Sequence, residues 1–199
     1  FNPDLQKSSY SGKLVANNFD FGKFWNNNII GLATFDAKIS GTGFQSSKVA
    51  ATLDGNISSI VLNNYVYHNI KLDGDVARKL FNGNVSIDEP NLKLDFDGSV
   101  DFRNKLPIFD FTADIKRAHL TRLNVFKRDS SALLSTKVML NMQGLKFDEL
   151  DGTIELEDLK YTESGTGFDI YSIAYSSSKI GTQRLIKLNS EIVDADLRG

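Results

Sequence analysis

Three aspartates, Asp95, Asp97 and Asp101, stand close together in the stretch NLKLDFDGSVDF, from Asn91 to Phe102. Clustered carboxylates are the first requirement of a calcium site. A calcium loop, however, sets its ligands in a turn with Asp-x-Asp-x-Asp-Gly spacing. Here the aspartates interleave with Leu94, Phe96 and Val100, the spacing of a strand whose carboxylates share a wet face. His68 and His119 are the only histidines, and neither has a neighbouring His or suitably spaced carboxylate to complete a zinc set. There is no cysteine, which excludes a thiolate metal site, a cysteine nucleophile and a disulfide framework. Serines are abundant, but no Gly-x-Ser-x-Gly elbow occurs. No Gly-x-Gly-x-x-Gly follows a strand and opens a helix. Gly41-Thr42-Gly43 and Gly165-Thr166-Gly167 read as turns. The sequence therefore nominates no catalytic residue, no metal ligand and no cofactor, and no cluster of titratable groups for an enzyme.

What remains is the pattern that spaces the aspartates. Leu92, Leu94, Phe96, Val100 and Phe102 occupy one parity, and Lys93, Asp95, Asp97, Ser99 and Asp101 the other. That is a long strand with one apolar and one charged face. Most of the chain repeats it. Strands are expected over Tyr10–Ala16, Leu32–Ser40, Val49–Val61 (broken at Asp54-Gly55), Tyr67–Val76, Leu80–Ile87, a segment opening at Pro107, Leu134–Met142, Leu150–Tyr161, Phe168–Tyr175, Arg184–Ser190 and Ile192–Arg198. Asn63-Asn64 is a turn. Asp20 is an N-cap for a short amphipathic helix over Phe19–Trp25, ended by Asn26 to Asn28, and Leu120 and Leu123 predict a second over Ala118–Phe126. Lys127 to Ser131 reads as a polar loop.

The chain has 199 residues and a formal charge of −2, without the basic field of a nucleic-acid binder. No run of about 18 apolar residues is present, so no transmembrane helix is expected. The chain opens at Phe1 without a methionine and reads as a fragment of something longer. Its two halves can be laid on each other at an offset of about 100 residues. The helix at Phe19–Trp25 matches His119–Phe126, and the strand ending at Gly43 matches that ending at Gly144. Leu53-Asp54-Gly55 matches Leu150-Asp151-Gly152, Tyr65 or Tyr67 matches Tyr161, and Asn91–Gly98 matches Val193–Gly199. The expected organisation is a first unit over 1–104 and a second, incomplete one over 105–199, in one continuous groove.

The residues of Asn18-Phe19-Asp20-Phe21-Gly22-Lys23-Phe24, the strand from Gly31 to Gly43, and the block YVYHNIKLDGDVARKLFNGNVSIDEPNLKLDFDGSVDF from Tyr65 to Phe102 carry a resemblance. With PIFDFTADIKRAHLTRLN following, the chain resembles the TamB/AsmA-like family of Gram-negative envelope proteins. Its order Tyr-x-Tyr-x-Asn-Ile, Asp-Gly, Phe-Asn-Gly, Ser-Ile, Pro-Asn-Leu is the most specific part. The resemblance implies an all-β fold: an elongated, curved antiparallel sheet (a β-taco or half-pipe) with a hydrophobic concave groove and two short helices. It implies a bridge-like, non-enzymatic lipid transporter in the periplasm, anchored in the inner membrane and reaching the outer membrane. Its partners would be phospholipid and an outer-membrane barrel protein of the Omp85 type, with a role in outer-membrane assembly and no nucleic acid.

The apolar parities have two readings. One is an ordinary dry core. The other, favoured by the resemblance, is a groove lining that meets acyl chains. Its candidates are Phe35, Ile39, Ile70, Leu72, Val85, Ile87, Leu92, Leu94, Phe96, Val100, Phe102, Phe109, Phe111, Ile115, Val138, Leu140, Met142, Ile154 and Leu156. The rivals are an outer-membrane β-barrel, whose strands also alternate, and a structural β-sandwich. Against the barrel stand mid-strand aromatics, a single Trp and the helical interruptions.

Overall fold

The computed structural model describes residues 9–25, 28–42, 50–77, 79–126, 131–146 and 149–199, without the side chains of Phe24 and Trp25. Twelve strands follow one another, each hydrogen-bonded to the next, in one antiparallel sheet. They are β1 (Ser9–Asp20), β2 (Ile30–Thr42), β3 (Ala50–Leu62), β4 (Tyr65–Ala77), β5 (Leu80–Glu89), β6 (Leu92–Asp101), β7 (Ile108–His119), β8 (Leu133–Gln143), β9 (Asp151–Glu163), β10 (Thr166–Ile180), β11 (Gln183–Ser190) and β12 (Asp194–Arg198). The meander follows from its turns. Asn63 and Asn64 both hold positive φ (49° and 61°), as do Ser164 and Gly165 (50° and 80°). Two residues of this kind make the tight hairpin whose twist suits antiparallel strands. Strands β1 and β12 lie at opposite edges and do not pair, so the sheet is not a closed barrel.

The register aligns apolar residues in rows that cross the sheet. One row runs Tyr10, Gly41, Ala51, Val76, Phe81, Val100, Phe109, Met142, Gly152, Ser177, Ile186 and Leu197, from the first strand to the last. A parallel row contains Ile39, Leu53, Gly74, Gly83, Gly98, Phe111, Leu140, Ile154, Tyr175 and Leu188. Directly paired residues project to the same face, so these rows define one apolar surface.

Gly98, the one residue of the apolar parity with nothing to bury, has a structural reason. Its φ is +138°, and a Cβ there would collide with the Asp110 carbonyl and lie 2.5 Å from Phe111 Cα. It sits in line with Gly83 and Gly74, whose own Cβ positions meet the backbone of the adjacent strand. Missing side chains let β4, β5 and β6 bend toward the apolar side, and that face becomes the inside of a curve.

Matching irregularities recur along the chain. β1 slips register between Ala16 and Phe19, and β7 between Ile115 and Ala118. β3 carries Ser58 as an extra residue against β2, and β9 carries Asp158, which has φ 49°, as one against β8. Asn69 (φ 53°) stands across from Ser58 and Tyr171 across from Asp158, and the registers of β3 with β4 and of β9 with β10 are the same on either side of these positions. Strands β1 to β6 and β7 to β12 thus follow the same order. Individual residues correspond less well: Gly55 is mid-strand in β3, whereas Gly152 is the second residue of β9.

Three local expectations need correction. Only one helix is present among the described residues, α1 (Phe21–Trp25). Asp20 caps it as expected, its Oδ1 accepting the Lys23 amide at 2.9 Å. Over Ala118–Phe126 the strand continues to His119 and then makes irregular turns. The Leu123 amide bonds the His119 carbonyl, but those of Val125 and Phe126 both return to Leu120. Asn124, at φ 59°, is left-handed and stops any helix from propagating. Asp54-Gly55 does not break β3, and Gly41 and Thr42 belong to β2; Gly43, Asn26, Asn27 and 127–130 lie outside the described residues.

Candidate functional site

All nineteen groove candidates lie on the apolar side. Seventeen, from Phe35 and Ile39 through Leu156, pair in register with one another or with other apolar-row residues. Leu92 joins through Ala118, and Phe102 follows Val100 in parity and meets Phe109 edge-on at 5.7 Å. They are not equally accessible, because one long edge of the sheet is covered and the other is not.

The covered edge is closed by the β7–β8 connection. Leu120, Leu123 and Ala132 are buried there against Ile70, Ile87, Leu92 and Ala118. Asn63 and Asn124 lock the connection to the β3–β4 turn, each side-chain amide donating to the other's carbonyl at 3.2 and 3.0 Å. A bond between segments separated by β5 and β6 requires the connection to cross the inside of the curve. In the first unit α1 takes the equivalent place, Phe21 stacking on Phe35 at 5.9 Å. Ile70, Ile87 and Leu92 are consequently core residues, while Val85, Leu94 and Ile115 pack at its margin.

Away from that edge the lining is half-buried with no second sheet across it among the described residues. Phe81, Phe96 and Phe111 form a chain of rings at 6.0 and 5.0 Å across three strands. Leu72, Val138, Leu140, Ile154 and Leu156 continue the surface. Val100, Phe109 and Met142 run along the open edge; Met142 is buried, whereas Phe102 is 43% exposed.

Several lining residues escaped the sequence reading. Tyr65 and Tyr67 stand on the wrong parity for Ile70, and Ile60 on the wrong parity for Ile57, yet all pack against the same cluster. The extra residue Ser58 in β3, matched across the strand pair by left-handed Asn69 in β4, flips the alternation of both strands together and brings them inside. The available signal was Asn69 itself, since asparagine tolerates positive φ. Phe81 and Tyr161 were read as strand residues without being assigned to the lining.

Polar groups on this side include Ser177 near the open edge, whose hydroxyl donates to the Leu150 carbonyl and accepts from Arg184, both at 2.7 Å, and a set at the covered edge. Glu89 is buried, and both its carboxylate oxygens accept from the Tyr65 hydroxyl at 2.8–2.9 Å. Asn91 donates to the same hydroxyl at 2.9 Å, and Arg122 reaches Asn91. Burial, reinforced by Glu89, raises the Tyr65 phenol above its ordinary value despite the opposing Asn91 bond.

The aspartates of β6 alternate with its apolar residues and project to the other face. Asp95 accepts from Lys116 Nζ and from the Ser86 hydroxyl, both at 2.7 Å, and these bonds hold its carboxyl below the usual range. Asp101, expected on the wet face, is instead buried (8% exposed) and its carboxyl is held low by the Arg103 fork, whereas Asp97 is exposed. Neither histidine joins a group that could hold a metal, and among the described residues no three metal-ligating side chains come together. A shallow surface depression of about 460 Å³ includes this polar face, among Asn82, Asp97, Ser99, Asp110 and Thr112. The bend spreads short polar side chains there and leaves gaps between them.

The site is thus an open, single-sheet trough with one wall capped and a lining of apolar side chains. No family model, no curated protein and no solved structure matches the chain.

Proposed function

We propose that this chain conducts lipid without catalysing a reaction, shielding phospholipid acyl chains in its apolar groove. The supporting observation is the continuity of the Phe81, Phe96 and Phe111 row, left half-covered in the middle of a twelve-stranded sheet. Contiguous apolar surface without a partner layer marks a place for lipid or protein. Each buried CH₂ contributes about 0.8 kcal/mol, so many equivalent, non-directional contacts hold an acyl chain while letting it slide. The paired charges of the opposite face, such as Lys13 with Asp36 and Lys137 with Glu157, keep that side wet. On the resemblance of its motifs, the chain would work in a Gram-negative periplasm, between an inner membrane and an outer-membrane barrel of the Omp85 type.

The test is to purify the chain without detergent and extract it for lipid mass spectrometry. Phospholipid is expected with the wild type and lost in Phe96→Asp and Phe111→Asp variants that keep their β-sheet circular dichroism. Folded variants that still carry a full complement would overturn the groove assignment. A wild type that carries none would instead point to a dry structural sheet.

A further inference from the structure

We propose that Lys179 and Arg184 hold the phosphate of a diacyl lipid at the open edge of the trough, a headgroup subsite that rests on the groove reading above. The two residues stand directly opposite each other beside the β10–β11 turn. The same strands pair Tyr175 with Leu188 and Ser177 with Ile186, which belong to the apolar rows. The register is unbroken from there to the turn, and side chains alternate between faces, so Lys179 and Arg184 project on the lined side. Along these two strands the lining therefore ends in two cations.

Neither cation is neutralised by its neighbours. No ion pair reaches either one among the described residues, whereas Lys13, Lys137 and Lys187 on the outer face each have a carboxylate. Asp151 is nearby, but its Oδ2 accepts from the Lys179 amide, at 3.2 Å, and not from the ammonium. Like charges directly opposite on one face of a strand pair repel, and an anion between them removes that cost. Arg184 is also fixed in place. Its Nη1 donates to the Ser177 hydroxyl at 2.7 Å and to the Leu150 carbonyl, and Ser177 is 2% exposed. Nε and Nη2 have no partner among the described residues. They form the edge of a guanidinium that meets two oxygens of one phosphate. Lys179 is exposed and brings an ammonium on a flexible stem from across the pair. An inorganic anion would satisfy the cations alone. A lipid phosphate also uses what adjoins them, with its oxyanion on the pair and its acyl chains along Tyr175, Ile186 and Leu188.

Dioctanoyl phosphatidylglycerol and dioctanoylglycerol, which share their acyl chains and differ in the phosphate, test the subsite. Both are used below micelle formation to displace diphenylhexatriene, a neutral apolar dye, from the whole chain. The wild type is expected to bind the phospholipid roughly tenfold more tightly than the neutral lipid, and Lys179→Gln with Arg184→Gln to abolish that preference while leaving the neutral lipid within about twofold. Lys179→Gln alone breaks no side-chain bond of the fold and should remove part of the preference. Lys187→Gln makes the same charge change on the outer face and should leave both lipids within about twofold. A folded double variant that keeps the preference would overturn the proposal, as would an equal loss in Lys187→Gln or an equal loss of both lipids. Inorganic phosphate competing as well as the phospholipid would make the pair a free-anion site and overturn the lipid assignment. Equal displacement by the two lipids in the wild type overturns the headgroup subsite alone. A wild type that takes up neither dye nor lipid overturns the groove reading and the subsite with it.

Discussion

Replacing Gly98 by alanine tests the idea that missing side chains, rather than a second layer, shape this sheet. The added methyl would meet the Asp110 carbonyl and lie 2.5 Å from Phe111 Cα and 2.7 Å from its Cβ, all on the neighbouring strand. None of these belongs to a flexible side-chain end, so β6 and β7 must separate. Overpacking of this kind costs about 1–3 kcal/mol. The φ of +138° adds roughly 1 kcal/mol for an alanine that cannot relax there. A loss of about 3 kcal/mol corresponds to a fall in Tm of roughly 6–12 °C for a chain of this length. Gly12→Ala is the control, because nothing lies within 4 Å of the position its Cβ would take and φ is not strained. It should be neutral or slightly stabilising, since alanine restricts the unfolded chain. Urea and thermal unfolding of both variants give the comparison. If Gly98→Ala is as stable as Gly12→Ala, the bend does not depend on the glycines and the account of the curve fails.

Leu123→Ala should destabilise by about 2–5 kcal/mol, because the side chain is buried in the cluster that the β7–β8 connection makes over the covered edge. Denaturant unfolding measures it, and a loss under about 0.5 kcal/mol would mean the connection does not close that edge. Tyr65→Phe removes the donor to a buried Glu89 and should cost about 1–3 kcal/mol, while Tyr65→Phe combined with Glu89→Gln should recover part of that. Additive costs in that double-mutant cycle would deny the coupling. Lys116→Met should return the Asp95 carboxyl toward its ordinary value in an NMR titration. Because that carboxyl is depressed in the fold, its small stabilising contribution is present above the ordinary carboxylate range and lost as pH falls through the lowered value. An unchanged Asp95 titration would show that the Lys116 bond is not formed in solution.

Much of the sheet is legible in parity alone. Lys93, Asp95 and Asp97 alternate with Leu92, Leu94 and Phe96, and nothing but a one-sided strand satisfies both sets. Turns were legible where asparagine or glycine needed positive φ, as at Asn63-Asn64. Asp54-Gly55 misled, because glycine served the bend of the sheet there and not a break in the strand: its Cβ would meet Ala37 of β2. The second helix misled for a different reason. Leu120 and Leu123 are three apart because both turn inward onto the core, a spacing that a hydrogen-bonded turn provides as well as a helix.

The lining was the least legible part, and the reason lies in the bulges. Parity predicts a face only until an extra residue is inserted, after which every following side chain changes side. At Ser58 and the facing Asn69 the change carries Tyr65 and Tyr67 from the expected wet face to the interior, where their rings meet at 4.7 Å. The same kind of slip recurs at Asn17-Asn18 and at Lys116-Arg117, near the covered edge each time. These bulges therefore have a common effect: strands that stay in register across the open part of the trough are turned, at one end, so that tyrosines and leucines close over the wall. An apolar row stays half-covered in the middle because the slips occur near that end and the glycines bend the sheet between, leaving Phe96 and Phe111 with neighbours beside them and none described above.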